Sequence, residues 1–179
     1  MKDSFQARGR WRSVLCVARP LLFLDVDGTL LPFAPPPWVE PWEPGAPYPL
    51  LSHLDRGLGP RLRALECDLV WATTWTDGAN LEIAPLLDLP LLPVVEWPDV
   101  NEPKDGRHWK TATLVEWAAG RPFIWVDDEI TATDREWVRE VHGEHALLHR
   151  VDCIVGLVDA DLDVIRAWLA QRSWSSGHD

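Results

Sequence analysis

The stretch Leu21-Leu22-Phe23-Leu24-Asp25-Val26-Asp27-Gly28-Thr29-Leu30 decides how the rest of the chain is read. A short apolar run ended by a turn signal reads as a buried strand, of the kind found in parallel sheets covered on both faces. Residues i and i+2 of an extended chain share a face, so Asp25 and Asp27 arrive in one small space as the strand ends. Two like charges held that close repel unless a cation binds them or one keeps a proton. Taken alone, Asp25-Val26-Asp27-Gly28 is also an ordinary strand-ending turn. The choice between the two depends on how the other strands end.

Outward from this strand, the chain alternates. Pro32, Pro35, Pro36, Pro37, Pro41, Pro44, Pro47 and Pro49 make a long irregular loop that neither helix nor central strand can cross. Trp38, Trp42 and Tyr48 sit within it, available for substrate recognition by stacking. A helical pattern follows over 51–65, then a strand over 68–73. A helix is expected over 77–87 with Asp77 as N-cap, and a further strand over 91–95. Thr111 to Ala119 reads as a helix stopped by Gly120, and Phe123 to Asp128 as a strand ending in acid. A helix over 131–141, a short strand over 146–150 and an amphipathic helix over 159–171 complete the pattern. Strands alternating with helices predict an α/β, three-layer sandwich around a central parallel sheet.

Such sheets bind ligands beyond the carboxyl ends of their strands. Three strand ends here carry reactive polar groups: Asp25 with Asp27, Thr73 with Thr74, and Asp127 with Asp128. Lys110 lies just before a helix, with Lys104 as its rival. Gathered at one edge, these groups describe a site for a phosphoryl group and a divalent cation. Asp25 is read as a covalent nucleophile and Asp27 as the proton donor and acceptor. A threonine hydroxyl and the lysine hold the phosphoryl oxygens. Asp25, Asp27, Asp127 and Asp128 form an all-oxygen ligand set that suits Mg²⁺ better than zinc. The bland readings are strand-end hydroxyls bonded to backbone, a solvated lysine, and acids that cap the next helix. His108 is read as loop packing, and most tryptophans as core, with Trp75 and Trp109 as candidates for the cleft wall.

With these residues in place, the chain resembles the haloacid dehalogenase (HAD) superfamily, whose phosphatases carry four motifs in this order. Asp25-Val26-Asp27-Gly28-Thr29-Leu30 matches the first, and Leu69-Val70-Trp71-Ala72-Thr73 is similar to the second. Lys110 resembles the lysine of the third, and Val126-Asp127-Asp128 the acidic fourth. More narrowly, Trp71-Ala72-Thr73-Thr74-Trp75, Ala79-Asn80, His108-Trp109-Lys110 and Trp125-Val126-Asp127-Asp128-Glu129 resemble a small bacterial group related to the HAD domain of Swiss Army Knife RNA repair proteins. The resemblance implies a Rossmann-like HAD fold and a Mg²⁺-dependent phosphatase acting through an aspartyl-phosphate. Its substrate is a phosphorylated small molecule or a phosphorylated nucleic-acid end. Larger relatives insert a cap domain after the first motif or between the second and third; both intervals are short here, which predicts no sizeable cap and an open cleft.

The 179 residues fit one catalytic domain over 20–172, with a basic arm over 1–19 and a tail over 173–179. A net charge of −11 argues against general nucleic-acid binding and against anionic membranes. Cys16, Cys67 and Cys153 form no disulfide framework and no metal spacing, which suits a reducing cytoplasm. Two rivals remain. A phosphoacceptor signalling domain uses similar groups, but there the acidic pair leads and a lone aspartate follows, the reverse of the order here. A catalytically silent binding domain would not need competent residues in all four motifs. The oligomeric state is not legible.

Overall fold

Four short, mainly apolar strands form a parallel sheet in the order β2-β1-β3-β4: β1 (Leu21–Leu24), β2 (Asp68–Trp71), β3 (Phe123–Asp127) and β4 (Ala146–Arg150). The structure is a computed structural model and describes residues 18–37, 39, 49–98 and 105–171. Cys16, Trp38, Trp42, Tyr48, Lys104, the arm up to residue 17 and the tail over 173–179 lie outside the described residues.

Side-chain alternation along the strands divides the core into two layers. Leu22, Leu24, Ile124 and Val126 face Leu58 and Leu62 of α1 (Leu58–Arg63) and Leu162 and Ile165 of α4 (Asp159–Gln171). Leu21, Phe23, Phe123 and Trp125 face Leu114 and Ala118 of α2 (Thr111–Ala118) and Val138 of α3 (Ala132–His142). Each of the larger aliphatic and phenyl side chains among them, fully buried, contributes about 1.5–3 kcal/mol. This is the three-layer α/β sandwich expected from the sequence, and no cap domain stands among the described residues.

Three expected elements come out differently. The helix predicted over 51–65 is split into a 3-10 turn at Pro49–His53 and the shorter α1. Close packing fixes the second piece: a Cβ on Gly59 would lie 1.8 Å from the carbonyl oxygen of Leu87. The helix predicted over 77–87 is a π-turn at Ala79–Ile83 followed by a 3-10 turn at Pro85–Leu87, because Pro85 has no N–H with which to continue an α-helical ladder. Its N-cap is Gly78, and Asp77 makes no side-chain cap.

The strand predicted over 91–95 is a strap. Only Val94 bridges to Trp71 of β2. Pro90 and Pro93 lack donors, and Leu92 gives both backbone groups to Asn80: its N–H donates to Oδ1 at 2.9 Å and its carbonyl accepts from Nδ2 at 2.9 Å. The same Oδ1 accepts from the Trp71 indole at 2.9 Å. Two ladder bonds to β2 remain beside this amide: the Trp71 N–H donates to the Pro93 carbonyl and the Val95 N–H to the Trp71 carbonyl, each at 2.9 Å.

Candidate active site

Register decides which residues meet at the carboxyl edge of the sheet. Leu24 lies level with Trp71 on one side and Val126 on the other. The next residue along β1 is therefore flanked by the ends of β2 and β3. Alternation continues the pattern of Leu21 and Phe23 into Asp25, and of Phe123 and Trp125 into Asp127, so both carboxylates turn to the α2 side. Lys110, the residue before α2, enters from that side. Its Nζ donates to Asp25 Oδ1 at 2.7 Å and to Asp127 Oδ2 at 2.8 Å. Asp25 is 5%, Asp127 1% and Lys110 4% exposed, so water screens none of the three.

Burial sets the electrostatics. It pushes the Asp25 carboxyl up to about 7, against the pull of the Lys110 ammonium and helped by the charge of Asp127. Burial also works against the charge on Lys110, but Asp25 and Asp127 outweigh it and hold the ammonium above its ordinary value. Asp128 is likewise raised, by burial first and by Asp127 second. Three carboxylates thus stand around one ammonium that bonds only two of them, and the balance is short of positive charge.

Oxygen atoms of Asp25, Asp127 and Asp128 lie within 4.8 Å of one another. Opposite ligands of Mg²⁺, each about 2.1 Å from the metal, stand about 4.2 Å apart, so this spacing and this hard-oxygen donor set fit the ion. Gly28 makes the arrangement possible. Its φ of +72° carries the loop past Asp128, where a Cβ would meet the carboxylate oxygens at 2.6 and 2.8 Å. Asp27, counted with the metal ligands in the sequence, is not in this group. Its Oδ2 accepts instead from the Trp75 indole at 2.9 Å, and its side chain is half-buried.

Thr73 is buried and Thr74 exposed. The Thr73 hydroxyl accepts from the backbone N–H of Trp75 at 3.2 Å, and its carbonyl accepts from the Trp97 indole at 3.0 Å. The Trp125 indole donates to Asp127 Oδ2 at 3.2 Å, and the N–H of Glu129 to Asp127 Oδ1 at 2.9 Å. Three tryptophans therefore address site residues through their N–H groups, contacts that the sequence did not reveal. His108, read as loop packing, has polar partners on both ring nitrogens. Nδ1 accepts from the Lys110 N–H at 3.3 Å, so Nε2 carries the proton and donates to Glu129 Oε2 at 3.0 Å. His108, Asp127 and Glu129 also lie close enough to hold a cation, but this tautomer leaves no lone pair on Nε2 for one.

A residue that the sequence reading passed over fixes the approach of Lys110. Asp134 is fully buried and accepts from the His108 N–H at 2.8 Å, Thr111 Oγ1 at 2.5 Å, the Thr131 N–H at 2.8 Å and Thr131 Oγ1 at 2.7 Å. The residues on both sides of the Lys110-bearing turn are tied to it. Burial opposes its charge, but those donors outweigh burial and hold its carboxyl below the usual carboxylate range. Its signal in the sequence was the Thr131-x-x-Asp134 spacing, a capping box that also starts α3.

No described helix is long and apolar enough to cross a membrane. A family model described as "HAD domain in Swiss Army Knife RNA repair proteins" matches residues 21–162, which take in all four strands and the whole site. Neither the curated proteins nor the solved structures hold a significant match.

Proposed function

Starting from the fact that the chain belongs to the HAD domain family of Swiss Army Knife RNA repair proteins, a superfamily of phosphatase-type hydrolases, we propose that it is a Mg²⁺-dependent phosphomonoesterase working through an aspartyl-phosphate. One observation carries the reading. A buried carboxylate, Asp25, is held by a buried lysine at the end of the central strand, with two more carboxylates in reach.

Lys110 engages Oδ1 of Asp25, and we assign the attack on phosphorus to Oδ2. A new O–P bond forms as the bond to the ester oxygen breaks, and Asp27 gives that oxygen a proton. Asp27 then takes a proton from water as the water oxygen attacks the acyl phosphate. Phosphate leaves and the Asp25 carboxylate returns. Asp27 suits this work because it is half-buried and aimed by the Trp75 indole rather than tied to Lys110. Thr73 and Lys110 hold the phosphoryl oxygens. Asp25, Asp127 and Asp128 would hold Mg²⁺, which would supply positive charge against that of the phosphoryl oxygens. The family's place in RNA repair proteins brings phosphorylated nucleic-acid ends among the candidate substrates, beside phosphorylated small molecules. The free thiols of Cys67 and Cys153 support a reducing cytoplasm.

Phosphate release from a panel of phosphomonoesters, measured with and without Mg²⁺, tests the reading. Activity should vanish with a chelator and return with Mg²⁺, and Asp25→Asn should lower it by about 10⁴-fold or more. Turnover that survives Asp25→Asn in a clean preparation would sink the nucleophile assignment.

A further inference from the structure

Four hydrogen bonds close a ring through Lys110. Its Nζ donates to Asp127 Oδ2 at 2.8 Å, and Asp127 Oδ1 accepts from the Glu129 N–H at 2.9 Å. Oε2 of Glu129 accepts from His108 Nε2 at 3.0 Å, and His108 Nδ1 accepts from the Lys110 N–H at 3.3 Å. The ring ties the residue before α2 to the end of β3, and it holds Lys110 at both its backbone and its ammonium. The His108 side chain is 9% exposed and that of Glu129 65%, so a surface acid reaches the buried lysine through one imidazole.

The direction of each bond says what each member does. A backbone N–H only donates, so Nδ1 has to present a lone pair to Lys110 and the ring proton sits on Nε2. A carboxylate only accepts, so Glu129 favours that position of the proton. A proton on Nδ1 would oppose the Lys110 N–H, donor against donor. The imidazole has a fixed base, because the His108 N–H donates to buried Asp134 at 2.8 Å. Lysine needs such support: its long stem has much rotamer freedom to lose, and its Nζ has to sit between Asp25 and Asp127.

We propose that His108 and Glu129 are positioning residues for Lys110, the Glu129 carboxylate holding the His108 tautomer that accepts from the lysine backbone. Both act through the lysine rather than on the phosphoryl group. The effect on turnover rests on the phosphatase reading, whereas the tautomer does not.

Substitutions at Glu129 isolate its side chain, because the N–H that bonds Asp127 stays in every variant. Glu129→Ala should lower kcat/KM for p-nitrophenyl phosphate by about 10–100-fold, with the unfolding midpoint nearly unchanged. Glu129→Gln should keep most of the activity, since its amide oxygen still accepts from Nε2. His108→Asn should keep most of it too, because an asparagine oxygen accepts from the backbone N–H two residues on. In that background Glu129→Ala should change little. Nitrogen-15 NMR of the histidine rings at about pH 8, above the ordinary imidazole range, reads the tautomer; the His108 signal is the one lost in His108→Asn. The proton should lie on Nε2 in the wild type and in Glu129→Gln, with the two tautomers mixed in Glu129→Ala. A Glu129→Gln variant as impaired as Glu129→Ala would overturn the proposal, since charge rather than hydrogen bonding would then matter. So would a His108 tautomer indifferent to Glu129→Ala. If the wild type releases phosphate from no ester, the phosphatase reading fails while the ring nitrogens still decide whether Glu129 sets the tautomer.

Discussion

Each acidic pair at the carboxyl edge has one inner and one outer member. Asp25 and Asp127 are buried and share the Lys110 ammonium, whereas Asp27 and Asp128 are half-buried and do not bond to it. Same residue type, same edge, one or two positions apart, yet the surroundings differ completely. The inner carboxylates are almost closed to water and each is held by the Lys110 ammonium. The outer ones keep partial access to water, which the proton transfer proposed for Asp27 needs. Burial sorts four identical side chains into two environments, as it does where paired carboxylates take different roles.

The contrast can be broken from either side. Lys110→Met should have the largest effect, because it leaves Asp25 and Asp127 buried without a counter-charge. Removing one partner of a buried ion pair costs about 3–5 kcal/mol. Denaturant unfolding should show that loss, and Mg²⁺ should restore part of it by binding the folded state. Asp27→Asn should do the opposite, lowering kcat by about 10²–10⁴-fold with the unfolding midpoint nearly unchanged. An equal loss of stability in both variants would erase the division between inner and outer acids.

Gly28→Ala probes how the two pairs are brought together. The substitution is strained at φ +72° and displaces Asp128. A loss of about 1–2 kcal/mol is expected, with a raised Mg²⁺ requirement in activity assays. The last probe concerns Asp134, a buried acid outside the reacting set. Asp134→Asn should cost about 1–3 kcal/mol at neutral pH. Its folded carboxyl lies below the usual range, so its stabilisation is complete above about pH 4. It fades as the pH falls through the folded value. The stability gap between wild type and Asp134→Asn should therefore narrow in acid, which unfolding curves at stepped pH would record.

Much of this was legible in the chain because strand ends announce themselves. Apolar runs stopping at Asp25, Thr73 and Asp127 placed the site before any geometry was known, since a parallel sheet collects its strand ends at one edge. What escaped depended on partners far apart in sequence. Nothing around Asn80 says that it engages both backbone groups of Leu92, and nothing around Trp75 says that its indole reaches Asp27. The expected helix over 77–87 failed for a local reason that was visible: Pro85 lies within it. Apolar periodicity outweighed the missing donor in the reading, and the donor decided the fold.

The strap beside β2 has a consequence for how copies of this protein meet. A parallel sheet ordinarily ends in a row of open backbone groups, and such rows invite another chain to add a strand. Here the outer neighbour of β2 offers almost no row. Pro90 and Pro93 bring no donors, and both groups of Leu92 are spent on Asn80. With Leu92 engaged by Asn80, the strap leaves little beyond Val94 for a second chain to pair with at that edge.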